Sequence, residues 1–391
     1  MRFHNWSRHK LMAVAAIAAA AIALPTDAQR VTIRAGRLLD PASGIVARNQ
    51  DIVVENGRIL SVQPASTAAP SGETIDLSAY TVLPGLIDAH VHLIIGGAVR
   101  ANALANLNAG FTTVFDLGSR GLPLLRLRDS INAGHVPGPR VYAAGIWIGT
   151  QGGVCEFSGI GIAGGAEKFR ERVRINTDAG ADVIKACVSG WPAAAFASPD
   201  TYELADSVLA AIVEESHARK RMVIAHDISL GGVRAALRTG VDGLAHAAYV
   251  DSATARALRD KNVFMIPTLT SLTAGDSSAG SRALIAATQL AYRAGVPLVF
   301  GTDGGVLPHG RNAEEFVTLT RAGVSALDAI RSATSGAARA LRIADSVGTI
   351  ARGKVADLIA VEGDPLSDIT ALQRVRYVMS RGKPVTLPKR D

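Results

Sequence analysis

Two histidines one residue apart, His90 and His92, close the apolar stretch Leu83-Pro84-Gly85-Leu86-Ile87-Asp88-Ala89-His90-Val91-His92. If the stretch is a strand, side chains alternate across it and both imidazoles point to one face. Two imidazoles so placed can chelate one metal ion. Other apolar runs end in the same manner. Ala181–Ile184 leads to Lys185, Met222–Ala225 to His226, Gly243–Ala245 to His246, and Leu298–Thr302 to Asp303. Each residue alone has a plain structural reading: a histidine capping a carbonyl, a lysine stretching its stem over apolar surface, an aspartate making a turn in Thr-Asp-Gly-Gly. Four histidines, a lysine and an aspartate all placed at run ends are hard to reach by accident.

These groups need elements that bring them together. Strand-like runs end near His92, Asp116, Gly145, Cys187, His226, His246, Pro267 and Asp303, separated by helix-like stretches such as Ala166–Ala179, Asp200–Arg219 and Ala283–Ala294. Several helices are expected to close on Ala-Gly pairs, at residues 109–110, 133–134, 179–180 and 294–295. Eight βα units over about 260 residues predict an α/β fold of the TIM (β/α)8 barrel type, whose working groups gather at the C-terminal strand ends. The competing doubly wound sheet wants a glycine-rich phosphate loop after its first strand, and His90-Val91-His92 stands there instead. The flanks differ. Val31–Val62 reads as short strands with a hairpin turning at Asn56-Gly57, and Ala356–Val361, Val375–Met379 and Pro384-Val385 read as strands near the other end. This predicts a small β-sandwich domain built from residues 29–83 and 347–391, around a barrel of residues 84–346.

The chain has 391 residues, 48% of them hydrophobic, and a net charge of +7. The charge is spread thinly, without a basic block interleaved with aromatics, which argues against nucleic acid as a partner. Arg2, Arg8 and Lys10 precede the unbroken apolar run Leu11–Leu24, and small residues follow at Thr26 and Ala28. That pattern predicts a secretory signal peptide over residues 1–28, with an uncleaved membrane anchor as the other reading. Its removal takes away three basic groups and Asp27, leaving +5. The expected product is secreted or periplasmic, with no stable membrane association.

The motifs Pro84–His92, Ala181-Asp182-Val183-Ile184-Lys185, Gly301-Thr302-Asp303 and Gly353-Lys354-Val355-Ala356-Asp357-Leu358 together resemble the amidohydrolase superfamily. Within it the chain resembles the imidazolonepropionase-like branch of metal-dependent dipeptidases and carboxypeptidases, Xaa-Pro dipeptidases included. The resemblance spans nearly the whole expected mature chain. It implies two divalent ions, zinc as a rule: His90, His92 and Asp303 on the first, His226 and His246 on the second, and Lys185 bridging both. An ammonium has no lone pair, so Lys185 would serve as its N6-carboxylated form; burial that lowers a lysine pKa favours that reaction. The implied activity is hydrolysis of an amide bond, in a dipeptide or N-acyl amino acid, by a metal-activated hydroxide, with Asp303 as the catalytic proton carrier. Deaminases of the superfamily place a glutamate shortly after the fifth-strand histidine, where this chain has Asp227-Ile228-Ser229-Leu230. Cyclic-amide or lactone opening remains open on the same ligands, as does a metal-binding scaffold without catalysis. The expected partner is a small amide or dipeptide, with a homo-oligomer left open.

Substrate contacts are sought in the loops. Tyr249 after the sixth strand is a candidate to bind the substrate carbonyl or carboxylate, or packs on the rim. In Pro308-His309-Gly310-Arg311-Asn312, which resembles a loop of the branch, His309 is a substrate-binding candidate. Arg311 could clamp a carboxylate or stay a solvated charge. Asn312 and Glu315 fit a capping box for the next helix. One departure stands out: many relatives have Gly-Gly-His after strand three, and here Gly152-Gly153 is followed by Val154-Cys155. That brings Cys155 to the mouth, near Cys187 two residues beyond Lys185. The pair either forms a disulfide pinning the third loop or remains two small apolar side chains.

Overall fold

The computed structural model describes residues 30–67, 72–157, 159–190, 198–273, 275 and 278–388. The segment expected to be a signal peptide lies outside these residues. Among the described residues no helix is long and apolar enough to cross a membrane.

Strands from both flanks join one seven-stranded sheet. β1 (Arg30–Asp40), β2 (Ile45–Glu55), β3 (Arg58–Pro64) and β4 (Glu73–Pro84) come from the first flank. β12 (Leu358–Val361), β13 (Val375–Ser380) and β14 (Lys383–Pro384) come from the other, and the order is β14-β13-β12-β4-β1-β2-β3. The β2–β3 hairpin turns at Asn56-Gly57 as expected, both residues at positive φ (51° and 77°), which suits the right-handed strand twist. β4 is the keystone: it runs parallel to β1 and antiparallel to β12, with Pro84 opposite Leu358. Ile33, Ile52, Leu77, Val82, Leu358 and Met379 pack into this sheet's core.

Between the flanks the strands are parallel. β5 (Leu86–Val91), β6 (Phe111–Asp116) and β7 (Arg140–Ala143) form one sheet. β8 (Val183–Cys187), β9 (Met222–Asp227), β10 (Gly243–His246) and β11 (Phe264–Ile266) form another. β5, β6 and β8 are buried along their whole length, as strands covered on both faces must be. Three isolated parallel bridges extend this pairing: Ile148 with Ala186, Met265 with Leu298, and Val91 with Gly304. Helices separate the strands, and the four Ala-Gly pairs do close helices.

The expected eighth strand is not regular. Across Leu298–Gly304 only isolated bridges form, because Phe300 N–H turns to Ser332 O while Phe300 O accepts from Ala89 N–H. The helix expected from Asp200 starts at Asp206, since residues 198–205 form a loop held by backbone bonds such as Glu203 N–H to Val188 O. The helix expected from Ala283 begins at Ala279, where Ser278 caps Ser281 N–H.

Candidate functional site

The C-terminal ends of the parallel strands converge, and buried carboxylates beneath them set the register. Asp88 accepts from His90 N–H (3.0 Å), from Thr302 N–H (3.2 Å) and Oγ1 (2.6 Å), and from Asn312 Nδ2 (2.7 Å). One carboxylate thereby locks β5 to the segment carrying Asp303. Asp116 at the end of β6 accepts from Leu93 N–H (2.7 Å) and Gly118 N–H (3.1 Å). Gly118 O in turn accepts from His92 Nδ1 (3.3 Å), which leaves Nε2 of that ring facing inward. Burial pushes both carboxyls up, to about 6 each, against the hydrogen bonds they accept.

Above them lies the cluster. His90 Nε2 is 3.3 Å from His92 Nε2, and Asp303 Oδ1 is 3.4 Å from the first and 3.2 Å from the second. His246 stands 5.3 Å from His90 and 4.7 Å from His226, ring centre to ring centre. Its Nδ1 lies 2.6 Å from Thr268 Oγ1, a contact that orients the ring. His226 is partly buried, and its ring is hydrogen-bonded to the Gly190 backbone. Lys185, 2% exposed, places Nζ 3.5 Å from His90 Nε2. His246, Thr268 and Asp303 all adopt positive φ (76°, 50° and 54°), a backbone strain that aims side chains across the mouth.

Electrostatics follow from burial. Desolvation holds His90 and His226 well below the usual histidine range and takes His246 down to about 3, so the rings are neutral. Burial works to raise the carboxyl of Asp303, but His90 and His92 outweigh it and the group stays ionised. Burial lowers Lys185 to about 7, with Asp303 pulling partly the other way. Converging lone pairs and an ionised carboxylate are a cation's ligand set. Ligand atoms of His90, His246 and Asp303 lie within 4.8 Å of one another, a group that could hold a metal ion. His226 Nε2 is enclosed and has no hydrogen-bond partner among the described residues. A buried acceptor left in that state costs free energy unless a ligand meets it. The residues fit a metal.

The six strand-end residues therefore come together, while two of the loop candidates, Arg311 and His309, have their polar groups engaged by protein partners. Arg311 is exposed, and its guanidinium is engaged by Glu314 (2.5 and 2.8 Å). His309 is turned into the scaffold: Asn106 Nδ2 donates to its Nδ1 (3.0 Å), and its Nε2 meets His92 O and Ile95 O (3.3 and 3.2 Å). Tyr249 packs against the apolar core. Cys155 and Cys187 are bonded, with Cα atoms 6.1 Å apart. The capping box does not form. Asn312 donates to Asp88 and Asn106, and Glu315 accepts from Leu269 N–H and Thr270 N–H, so both side chains serve distant partners. The structural roles of Asp88 and Asp116 go unseen in the strand-end reading. Their signal is a charge inside an apolar run, which must find partners when buried. A cleft of about 830 Å³ lies at the opposite strand ends, around Asp242, Phe264 and Leu298, away from the imidazoles.

Comparison with known proteins accords with this geometry. The chain is 28% identical to ochratoxinase of Aspergillus niger over 423 aligned positions, covering 92% of this chain and 87% of the relative. Its structure is similar to a crystallised Xaa-Pro dipeptidase with bound methionine in the active site (TM-score 0.84, 29% identity, 91% of this chain and 99% of that one). It is also similar to a putative prolidase from Bifidobacterium longum (TM-score 0.82, 28% identity, 93% and 97%). Residues 81–385 match the amidohydrolase family. With the match running through β5, the imidazole cluster and β12, the chain belongs to the amidohydrolase family and is a hydrolase acting on amide bonds.

Proposed function

We propose that the protein is a binuclear metal-dependent hydrolase that cleaves a C–N bond in a dipeptide or N-acyl amino acid. The observation that carries this reading is Lys185: a lysine buried among imidazoles, 3.5 Å from His90 Nε2, and in no ion pair among the described residues. A protonated amine is badly served there. The neutral amine can attack CO2 at carbon: an N–C bond forms as one C=O π pair moves onto oxygen, the amine proton passes to water, and the product is an anionic carbamate whose oxygens could ligate cations. His90, His92 and Asp303 would hold one divalent ion, His226 and His246 the other, and carbamylated Lys185 both, with zinc as the expected metal. Such ions supply Lewis acidity, easing deprotonation of water and polarising the scissile carbonyl. Asp303 accepts the proton of the attacking water and passes it to the leaving nitrogen. His90 and His92 face the carboxylate of Asp303. Similarity to the Xaa-Pro dipeptidase and the ochratoxinase supports an amide of an amino acid as substrate.

The reading extends to the molecule's plan. The bridges at Ile148, Leu298 and Gly304 support closure of the parallel strands into a (β/α)8 ring over residues 84–346. The seven-stranded sheet, with strands from both flanks, supports a composite β domain of residues 29–83 and 347–391. The Cys155–Cys187 bond supports export, because disulfides persist in oxidising compartments. Metal analysis beside turnover of a dipeptide and N-acyl amino acid library tests the function. Two ions per chain with amide hydrolysis are expected. A metal-free preparation that hydrolyses the library would overturn it.

A further inference from the structure

The loop after β7 turns an aromatic wall toward the cluster. The rings of His92 and Trp147 lie 5.5 Å apart centre to centre, and Trp147 and Phe157 4.8 Å apart. Beyond Phe157 the Arg120 guanidinium carbon sits 6.0 Å from the ring centre. Arg120 follows by two residues Gly118, whose O is the acceptor for His92 Nδ1, so the segment that carries this cation is tied to the cluster through its backbone. Gly118 is at φ +123°, and a Cβ there would run into the Trp147 ring, so the wall depends on that glycine.

The wall is built rather than draped. Cys155 is bonded to Cys187 on the strand of Lys185. The Glu203 carboxylate accepts from Val154 N–H (3.2 and 2.9 Å), and Arg172 donates to Trp147 O (3.4 Å) and Ile160 O (3.1 Å). Arg172 is thus committed to carbonyls, as Arg311 is to Glu314. Arg120 is exposed and makes no hydrogen bond or ion pair among the described residues. A guanidinium over a ring is held by its face, while its N–H groups radiate in its own plane. Its edge is then free for a planar anion, and a carboxylate matches two of those N–H groups at once.

We propose that Arg120 binds the free carboxylate of the substrate's amino-acid part, with Trp147 and Phe157 as the apolar wall beside its side chain. This rests on the amino-acid amide reading above and narrows it to substrates whose leaving amine carries a carboxylate and an apolar or aromatic group.

The test uses the full-length, metal-reconstituted enzyme and two amides differing only in the carboxylate, N-acetyl-L-phenylalanine and N-acetyl-2-phenylethylamine, both releasing acetate. The wild type should favour the acid by about 10- to 100-fold in kcat/KM, carried mainly by KM. In Arg120→Gln that ratio should fall toward one, and Arg120→Lys, which keeps the charge without the fork, should recover part of it. A ratio unchanged in Arg120→Gln, or a wild type that treats both amides alike, overturns the inference and leaves amide hydrolysis standing. If neither amide is cleaved, the reading of these amides as substrates fails by itself. Calorimetric binding of L-phenylalanine against 2-phenylethylamine then judges Arg120. Weaker binding of L-phenylalanine alone in Arg120→Gln supports it, and no binding, or binding indifferent to the variant, overturns it.

Discussion

In the proposed reaction Lys185 and Asp303 have different parts, and their variants should fail differently. Lys185→Ala removes the proposed bridging ligand and should lower metal content below two ions per chain, read by elemental analysis. Asp303→Asn keeps an oxygen ligand but cannot hold a proton in transit. Metal should remain while kcat falls about 10²- to 10⁴-fold, and near-normal turnover would remove Asp303 from the proton path. Asp88→Asn turns one acceptor into a donor facing Thr302 and Asn312, so metal affinity measured by chelator competition should weaken about 10- to 100-fold. The strand-end residues were legible in the sequence because period-two alternation and run ends are local properties. Asp88 and Asp116 were not, because their partners Thr302, Asn312 and Leu93 belong to other segments and only the fold joins them.

Elements are tied to one another by few side chains, and Glu315 is one of them. Near the start of the helix Glu314–Arg321, it accepts from the first two N–H groups of the helix Leu269–Thr273 (2.8 and 2.7 Å). Burial raises its carboxyl from 4.5 to about 7. The folded state thus holds the proton more tightly than the unfolded one, so Glu315 contributes stability below pH 4.5, loses it as pH rises toward 7, and is flat above. Wild type should therefore lose stability relative to Glu315→Gln across that window, by roughly 3 kcal/mol at most, in denaturant titrations at several pH values. Above pH 7 the amide, which places a donor against Leu269 or Thr270 N–H, should leave the variant about 1–3 kcal/mol short of an unperturbed protein. The Cys155–Cys187 bond, spanning 32 positions, ties the aromatic loop to β8. Cys155→Ala with Cys187→Ala should cost about 3–4 kcal/mol in the loop-entropy account, read by thermal unfolding with and without reductant. Capping at Asn312–Glu315 was misread for a plain reason: the local pattern is real, but Asp88 and the 269–270 amides compete for the same side chains.

At the scale of the molecule, the sequence divides cleanly where periodicity changes, and the strand-rich flanks were visible as such. Their union in one small β domain was expected as well, but the strand pairing was not legible, because partners such as Pro84 and Leu358 are far apart in the chain. The irregular segment Leu298–Gly304 looks like its neighbours in sequence, yet Ser332 captures one of its amides and leaves it bridged instead of fully paired. The seat of β4 between β1 and β12 carries a further consequence. During synthesis the β4 edge stays bare until more than 270 later residues have been made, an adhesive border of unspent N–H and C=O groups beside finished neighbours. Pairing of β4 with β12 therefore waits on a long loop closure, and whatever shields that border meanwhile bears on how much of each batch matures and how much clumps.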